Sequence, residues 1–108
     1  MEEQCSKLWS ATVILFRSQL KVLETNGKLS DVKVEELFDN EIYITADTGV
    51  LSIWLDWDSG EGSWNVITDK LQRAEPWFMS ADGKVELSGE SMELPTAVGT
   101  LIEKLLTK

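Results

Sequence analysis

Alternation of apolar and polar residues is clearest between residues 41 and 67. Ile42, Ile44 and Ala46 alternate with polar or aromatic neighbours, and a second run after residues 47–49 does the same; the apolar positions of that run are Leu51, Ile53, Leu55 and Trp57. A period of two predicts strands with one buried face. Residues 47–49, which include Gly49, predict a hairpin turn between them.

The buried faces also predict the strand register. Placing Ile42 and Ile44 on the same side as Leu51 and Ile53 requires Ile44 to lie opposite Leu51, since a slip of one residue turns one strand inside out. After the loop 58–62, the same argument continues the sheet and predicts two pairs, Trp57 with Trp64 and Leu55 with Val66.

Helices are predicted at both ends of the chain. Apolar residues recur at spacings of three and four over residues 3–25, and Asn26-Gly27 is a typical helix stop. A second helix begins near Leu94. Either Pro95 occupies its first turn or Thr96 caps it, and the sequence does not separate the two.

The remaining segments have weaker patterns. Residues 30–39 fit a helix after Ser30 or a charged edge strand, and we favour the edge strand. Residues 69–75 predict a loop or a single helical turn, and residues 88–93 predict a loop. Asp82-Gly83 predicts a two-residue hairpin turn. That turn would place Phe78 opposite Leu87 on the inner side and put Trp77 and Met79 on the outer side.

These elements predict one α+β domain over residues 1–108. The expected architecture is a two-layer sandwich, with about five antiparallel strands and both helices packed on one face of the sheet. The opposite face would then expose Tyr43, Trp54, Trp77 and Met79, a tryptophan-rich surface. Three interpretations stay open: the chain itself covers these residues, they form a homodimer interface, or they bind another partner or a planar ligand.

Charge narrows the classes of partner. The chain carries a net charge of −9, and residues 31–62 hold nine carboxylates against one lysine. Such a field disfavours nucleic acid and anionic membranes and attracts a basic protein or a cation. No apolar run approaches the length needed to span a bilayer. The single cysteine favours a reducing, cytoplasmic setting.

Candidate chemistry is sparse. The chain contains no histidine, so serine or cysteine nucleophiles activated by histidine are excluded within one subunit. Asp56, Asp58 and Glu61 are weak candidates for a metal site. Their spacing begins like a calcium loop, but Gly60 replaces a ligand and Ile67 stands where the closing glutamate belongs.

The sequence therefore predicts a non-enzymatic binding module without a cofactor, such as an inhibitor, immunity protein, adaptor or chaperone. Its partner is expected to be a basic protein. Tyr43, Trp54, Trp77 and Met79 would supply the buried area, and a second set would supply charge complementarity. That second set consists of Glu36, Asp47, Asp56 and Asp58. The alternative is a small-ligand or divalent-cation binder that uses the Asp56 to Glu61 loop and the outer aromatic face.

Overall fold

The chain forms an N-terminal helix, a seven-stranded antiparallel sheet and a C-terminal helix. The computed structural model describes residues 2–80 and 82–106. The elements are α1 (Glu2–Thr25), β1 (Lys33–Leu37), β2 (Glu41–Ala46), β3 (Gly49–Leu55), β4 (Glu61–Thr68), β5 (Gln72–Met79), β6 (Lys84–Leu87), β7 (Glu90–Glu93) and α2 (Leu94–Glu103), which continues as a 3₁₀ turn over Lys104–Leu106. Each strand pairs with its neighbours in chain order. The α+β class is confirmed, with two more strands than expected.

Helix α1 follows the predicted apolar stripe, and its buried side chains are Cys5, Trp9, Thr12, Val13, Phe16 and Leu20. The helix ends where Gly27 adopts a φ of 75°. The Lys28 N–H donates to the Leu23 carbonyl oxygen at 2.9 Å, which is the capping bond expected of a left-handed glycine after a helix.

The β2–β3 register is confirmed, because Ile44 lies opposite Leu51. The predicted β3–β4 register is wrong by four residues, since Trp64 lies opposite Ile53 instead of Trp57. Strand β3 ends at Leu55, and the Gly60 N–H closes a tight turn on the Asp56 carbonyl oxygen at 2.8 Å. A shift by an even number of residues preserves the faces, so the predicted inner side of β4 is correct.

Two segments predicted as loops are strands. Strand β5 begins at Gln72, and its first two inner-face positions hold Arg73 and Glu75, which form an ion pair with each other. Their charge removes the period-two apolar signal that identified the other strands. Strand β7 carries a single apolar residue, Met92, among polar ones and is equally hard to recognise.

The predicted β5–β6 hairpin is off by one residue. The Ser80 N–H donates to the Lys84 carbonyl oxygen at 3.0 Å, so three residues separate the paired ends instead of two. The Asp82 carboxylate stabilises this loop by accepting the Lys84 N–H at 3.1 Å and the Ser80 hydroxyl. A one-residue shift turns β5 over relative to β6, so its predicted inner and outer faces are exchanged. Trp77 and Met79 therefore point into the core, with exposures of 1% and 2%.

Both helices cover the same face of the sheet. Helix α2 contacts α1, β6 and β7, and the buried side chains of the helices and strands form one cluster. Glu93 is the N-cap of α2 and Pro95 lies in its first turn, so Thr96 is not the cap. Strand β1 is an edge strand, as predicted for residues 30–39. No helix among the described residues is long and apolar enough to cross a membrane.

Candidate partner-binding face

The side of the sheet opposite the helices is referred to below as the outer face. The side chains that the strand register places on it include Glu35, Glu41, Tyr43, Ser52, Trp54, Glu61, Ser63, Asn65, Ile67, Phe78 and Glu86. They share one side because residues directly opposite each other, and residues two apart in one strand, point the same way. The large apolar members are open to solvent, since Tyr43, Trp54, Ile67 and Phe78 are 37 to 44% exposed.

The centre of the outer face is uncharged. Ser52, Ser63 and Asn65 lie between the exposed aromatic side chains, and none carries an ionisable group. Charged residues lie around this centre. Interface cores are depleted in charged residues and enriched in aromatic ones, and the outer face shares both of these features.

Each of the three exposed aromatic residues of the outer face has a glutamate as its direct cross-strand neighbour. Tyr43 lies opposite Glu35, and Trp54 lies opposite Glu41. Phe78 lies between two glutamates, Glu61 and Glu86. Opposed residues in antiparallel strands have Cβ atoms about 5 Å apart, so the side chain of each glutamate starts next to that of an aromatic residue.

These four glutamates, Glu35, Glu41, Glu61 and Glu86, are unpaired. Within residues 2–80 and 82–106, their carboxylates form no ion pair and accept no hydrogen bond. Other glutamates are already neutralised: Glu36 by Arg17 at 2.9 Å and Glu93 by Lys84 at 3.7 Å. The uncompensated negative charge of the sheet is therefore concentrated beside its exposed rings.

Two of the four residues that were predicted to supply buried area in an interface lie on this face. Tyr43 and Trp54 are on it, whereas Trp77 and Met79 are in the core and are not accessible to a partner. The Trp77 indole crosses Gly62, and its Nε1–H donates to the Trp54 carbonyl oxygen at 2.9 Å. The expectation of a tryptophan-rich surface was wrong, because Trp54 is the only one of the five tryptophans that is exposed.

Two predicted acidic residues have structural contacts elsewhere. Glu36 occupies an inner-face position of β1, where it pairs with Arg17 of α1. Asp47 lies in the β2–β3 turn and accepts the Ser30 N–H at 3.0 Å. This backbone hydrogen bond lowers the pKa of the Asp47 carboxyl below its ordinary value. Asp47 therefore fixes the entry of the chain into the sheet.

The loop between β3 and β4 does not gather a metal site. The Asp56 carboxylate accepts the Asp58 N–H at 3.0 Å, an interaction internal to the turn. Among the described residues no group of three or more carboxylates or cysteines is placed to hold a metal ion. A shallow cavity of about 350 Å³ lies beside this loop, and it is lined by Phe38, Asp39, Asn40, Asp56, Trp57 and Asp58.

Several residues of the outer face were not predicted from the sequence. A two-residue turn at Asp82-Gly83 predicts Phe78 on the inner face, whereas the observed three-residue loop places it on the outer face. The left-handed Gly83, with a φ of 85°, equally suits the last position of a three-residue loop, and that alternative would have exposed Phe78. Glu35, Glu41 and Glu86 gave no signal, because their proximity to the rings depends on the register.

The chain contains one cysteine and no histidine. Its cysteine thiol, Cys5, is fully buried, and this burial raises its pKa, which disfavours the reactive thiolate.

Comparisons of the chain with protein-family models, with curated proteins and with solved structures give no significant match. The site must therefore be interpreted from its own geometry.

Proposed function

We propose that this protein is a non-enzymatic binding module whose outer face docks onto a basic protein surface. The observation that carries the proposal is the combination of three exposed aromatic rings around an uncharged centre with four unpaired glutamates at their sides. Aromatic residues supply buried area in an interface, and border charges steer association and select the partner.

The revised set of contact residues differs from the one that the sequence predicted. Tyr43 and Trp54 are retained as anchors, and Phe78 replaces the buried Trp77 and Met79. Glu35, Glu41, Glu61 and Glu86 take the roles first given to Glu36 and Asp47. Asp56 and Asp58 lie in the turn beyond the end of β3 and add to the negative field without belonging to the outer face.

A basic partner is a better occupant than a second copy of the chain. Two outer faces brought together would place unpaired glutamates against glutamates, and Lys33 is the one unpaired cation that the described strands add to this side. Like charges in an interface oppose association. The cytoplasmic setting belongs to this proposal as well, since a lone cysteine forms no internal disulfide.

The test is affinity capture from extracts of the producing cells with three matched baits. The first is the wild-type chain, the second carries Tyr43→Thr and Trp54→Thr, and the third carries Ile14→Gln and Val22→Gln on exposed positions of α1. Threonine preserves strand propensity and glutamine preserves helix propensity. Retention of one basic protein by the first and third baits, and its loss from the second, supports the proposal. Equal retention by all three baits contradicts it.

A further inference from the structure

The neighbours of the three exposed rings of the outer face indicate which chemical group of a partner this face binds. A single ring on a sheet binds many apolar groups, and a single exposed glutamate attracts any cation. Here the two occur side by side three times, at Tyr43 with Glu35, at Trp54 with Glu41 and at Phe78 with Glu61 and Glu86. The repetition indicates one kind of recognised group.

We infer that these three positions are receptors for arginine side chains of the partner, an inference that rests on the proposed function. A guanidinium group is planar, stacks on an aromatic face and donates two parallel hydrogen bonds to a carboxylate. An aromatic residue and a glutamate whose Cβ atoms lie about 5 Å apart on one face can present both contacts to the same group. A lysine ammonium is a compact, strongly hydrated charge and uses the arrangement less well.

The environment of each position favours an external cation. The rings of Tyr43, Trp54 and Phe78 are more than a third exposed, so a flat group can lie on them. The neighbouring glutamates lack internal partners in the described chain, so binding breaks no existing ion pair. Phe78 has a carboxylate on both sides and can orient a guanidinium from either one.

The sheet fixes the spacing of the three positions. Strand separation and residue rise place Trp54 about 8 Å from Tyr43 and about 12 Å from Phe78, along a diagonal of the outer face. A partner must therefore present arginines at matching intervals. This requirement distinguishes a specific arginine-bearing surface from a generally basic one.

The experiment titrates the isotope-labelled protein with poly-arginine and poly-lysine peptides of equal length, followed by NMR. The expected result is that both peptides shift the outer-face resonances, including the Trp54 indole N–H. The arginine peptide is expected to bind more tightly than the lysine peptide, because each guanidinium can stack on a ring and donate two hydrogen bonds to the neighbouring carboxylate. Equal affinity of the two peptides overturns the arginine assignment and leaves the attraction to a basic partner intact.

A matched pair of variants separates the local site from the net charge. Glu41→Gln removes the carboxylate beside Trp54, and Glu24→Gln removes the same charge from the exposed surface of α1. Glu41→Gln should reduce the arginine preference at the Trp54 indole, whereas Glu24→Gln should not. Equal effects of the two variants overturn the inference. If neither peptide shifts the outer face, the inference and the proposed function both fail.

Discussion

Trp54 contributes to both sides of the sheet. Its ring lies on the outer face, while its carbonyl oxygen accepts the Trp77 indole N–H from the core side at 2.9 Å. This bond passes over Gly62, which lies opposite both Leu55 and Trp77. The missing side chain at Gly62 allows the indole of β5 to reach β3 across the intervening strand.

The substitution Gly62→Ala should therefore destabilise the fold. The added Cβ would clash with the Trp54 carbonyl oxygen and lie 2.6 Å from Trp77 Nε1. Overpacking of this kind costs about 1 to 3 kcal/mol, and chemical denaturation measures it. Gly99→Ala is the matched control, because its Cβ meets only the flexible end of Gln19 at 3.3 Å. Alanine in that helix should raise the free energy of unfolding by about 0.5 to 1 kcal/mol. Equal effects of both substitutions would contradict the account of Gly62.

Asp47 should make stability depend on pH. Its folded pKa is lowered by the Ser30 N–H, so its contribution is present above the ordinary aspartate pKa and is lost as the pH falls through the lowered folded value. Asp47→Ala should lower the melting temperature at pH 7, and the difference from wild type should shrink below about pH 4. The control Asp69→Ala removes an exposed carboxylate that accepts no hydrogen bond in the described chain. A difference for Asp47→Ala that is constant with pH would contradict this role.

The helices and strands with a strong apolar periodicity were predicted from the sequence. Helix α1 and the β2–β3 register followed from apolar spacing and turn residues, and the edge position of β1 followed from its charged residues. The first half of strand β5 was missed because Arg73 and Glu75 occupy inner-face positions of the sheet. The candidate site was half predicted, since Tyr43 and Trp54 were found by alternation. Phe78 was lost through one residue of loop length, and the glutamate neighbours required the full register.

Helix α2 should contribute more stability than its length suggests. Leu101 is fully buried between the helices and the sheet, so Leu101→Ala should lower the free energy of unfolding by about 2 to 5 kcal/mol. Ile14 of α1 is 64% exposed, and Ile14→Ala should change it by about 0.5 kcal/mol or less. Thermal or denaturant unfolding measures both. A small effect at Leu101 would contradict the packing of α2 on the sheet.

The whole molecule is acidic, and this charge should act mainly on association rates. With a net charge of −9, the protein should bind its basic partner more slowly as salt increases, because ions screen charges over about 10 Å at 0.1 M. The dissociation rate should change much less, because it depends on the buried aromatic contacts. Stopped-flow association at several salt concentrations checks this. An association rate that is independent of salt would remove steering from the account.

The same charge should keep the free protein monomeric. Sedimentation equilibrium should give the mass of one chain, 12.2 kDa, in low salt. A mass twice that value, restored to one chain by Trp54→Thr, would identify a second copy as the occupant of the outer face. That result would replace the basic partner in the proposed function.

The most direct test is hydroxyl-radical footprinting of the protein, alone and in extracts of the cells that produce it. Labelling of Tyr43, Trp54 and Phe78 is expected to fall in the extract, while labelling of the exposed Ile14 and Val22 on α1 is expected to stay unchanged. Protection of the α1 residues instead, or unchanged labelling of the three rings, would contradict the assignment of the outer face as the binding surface.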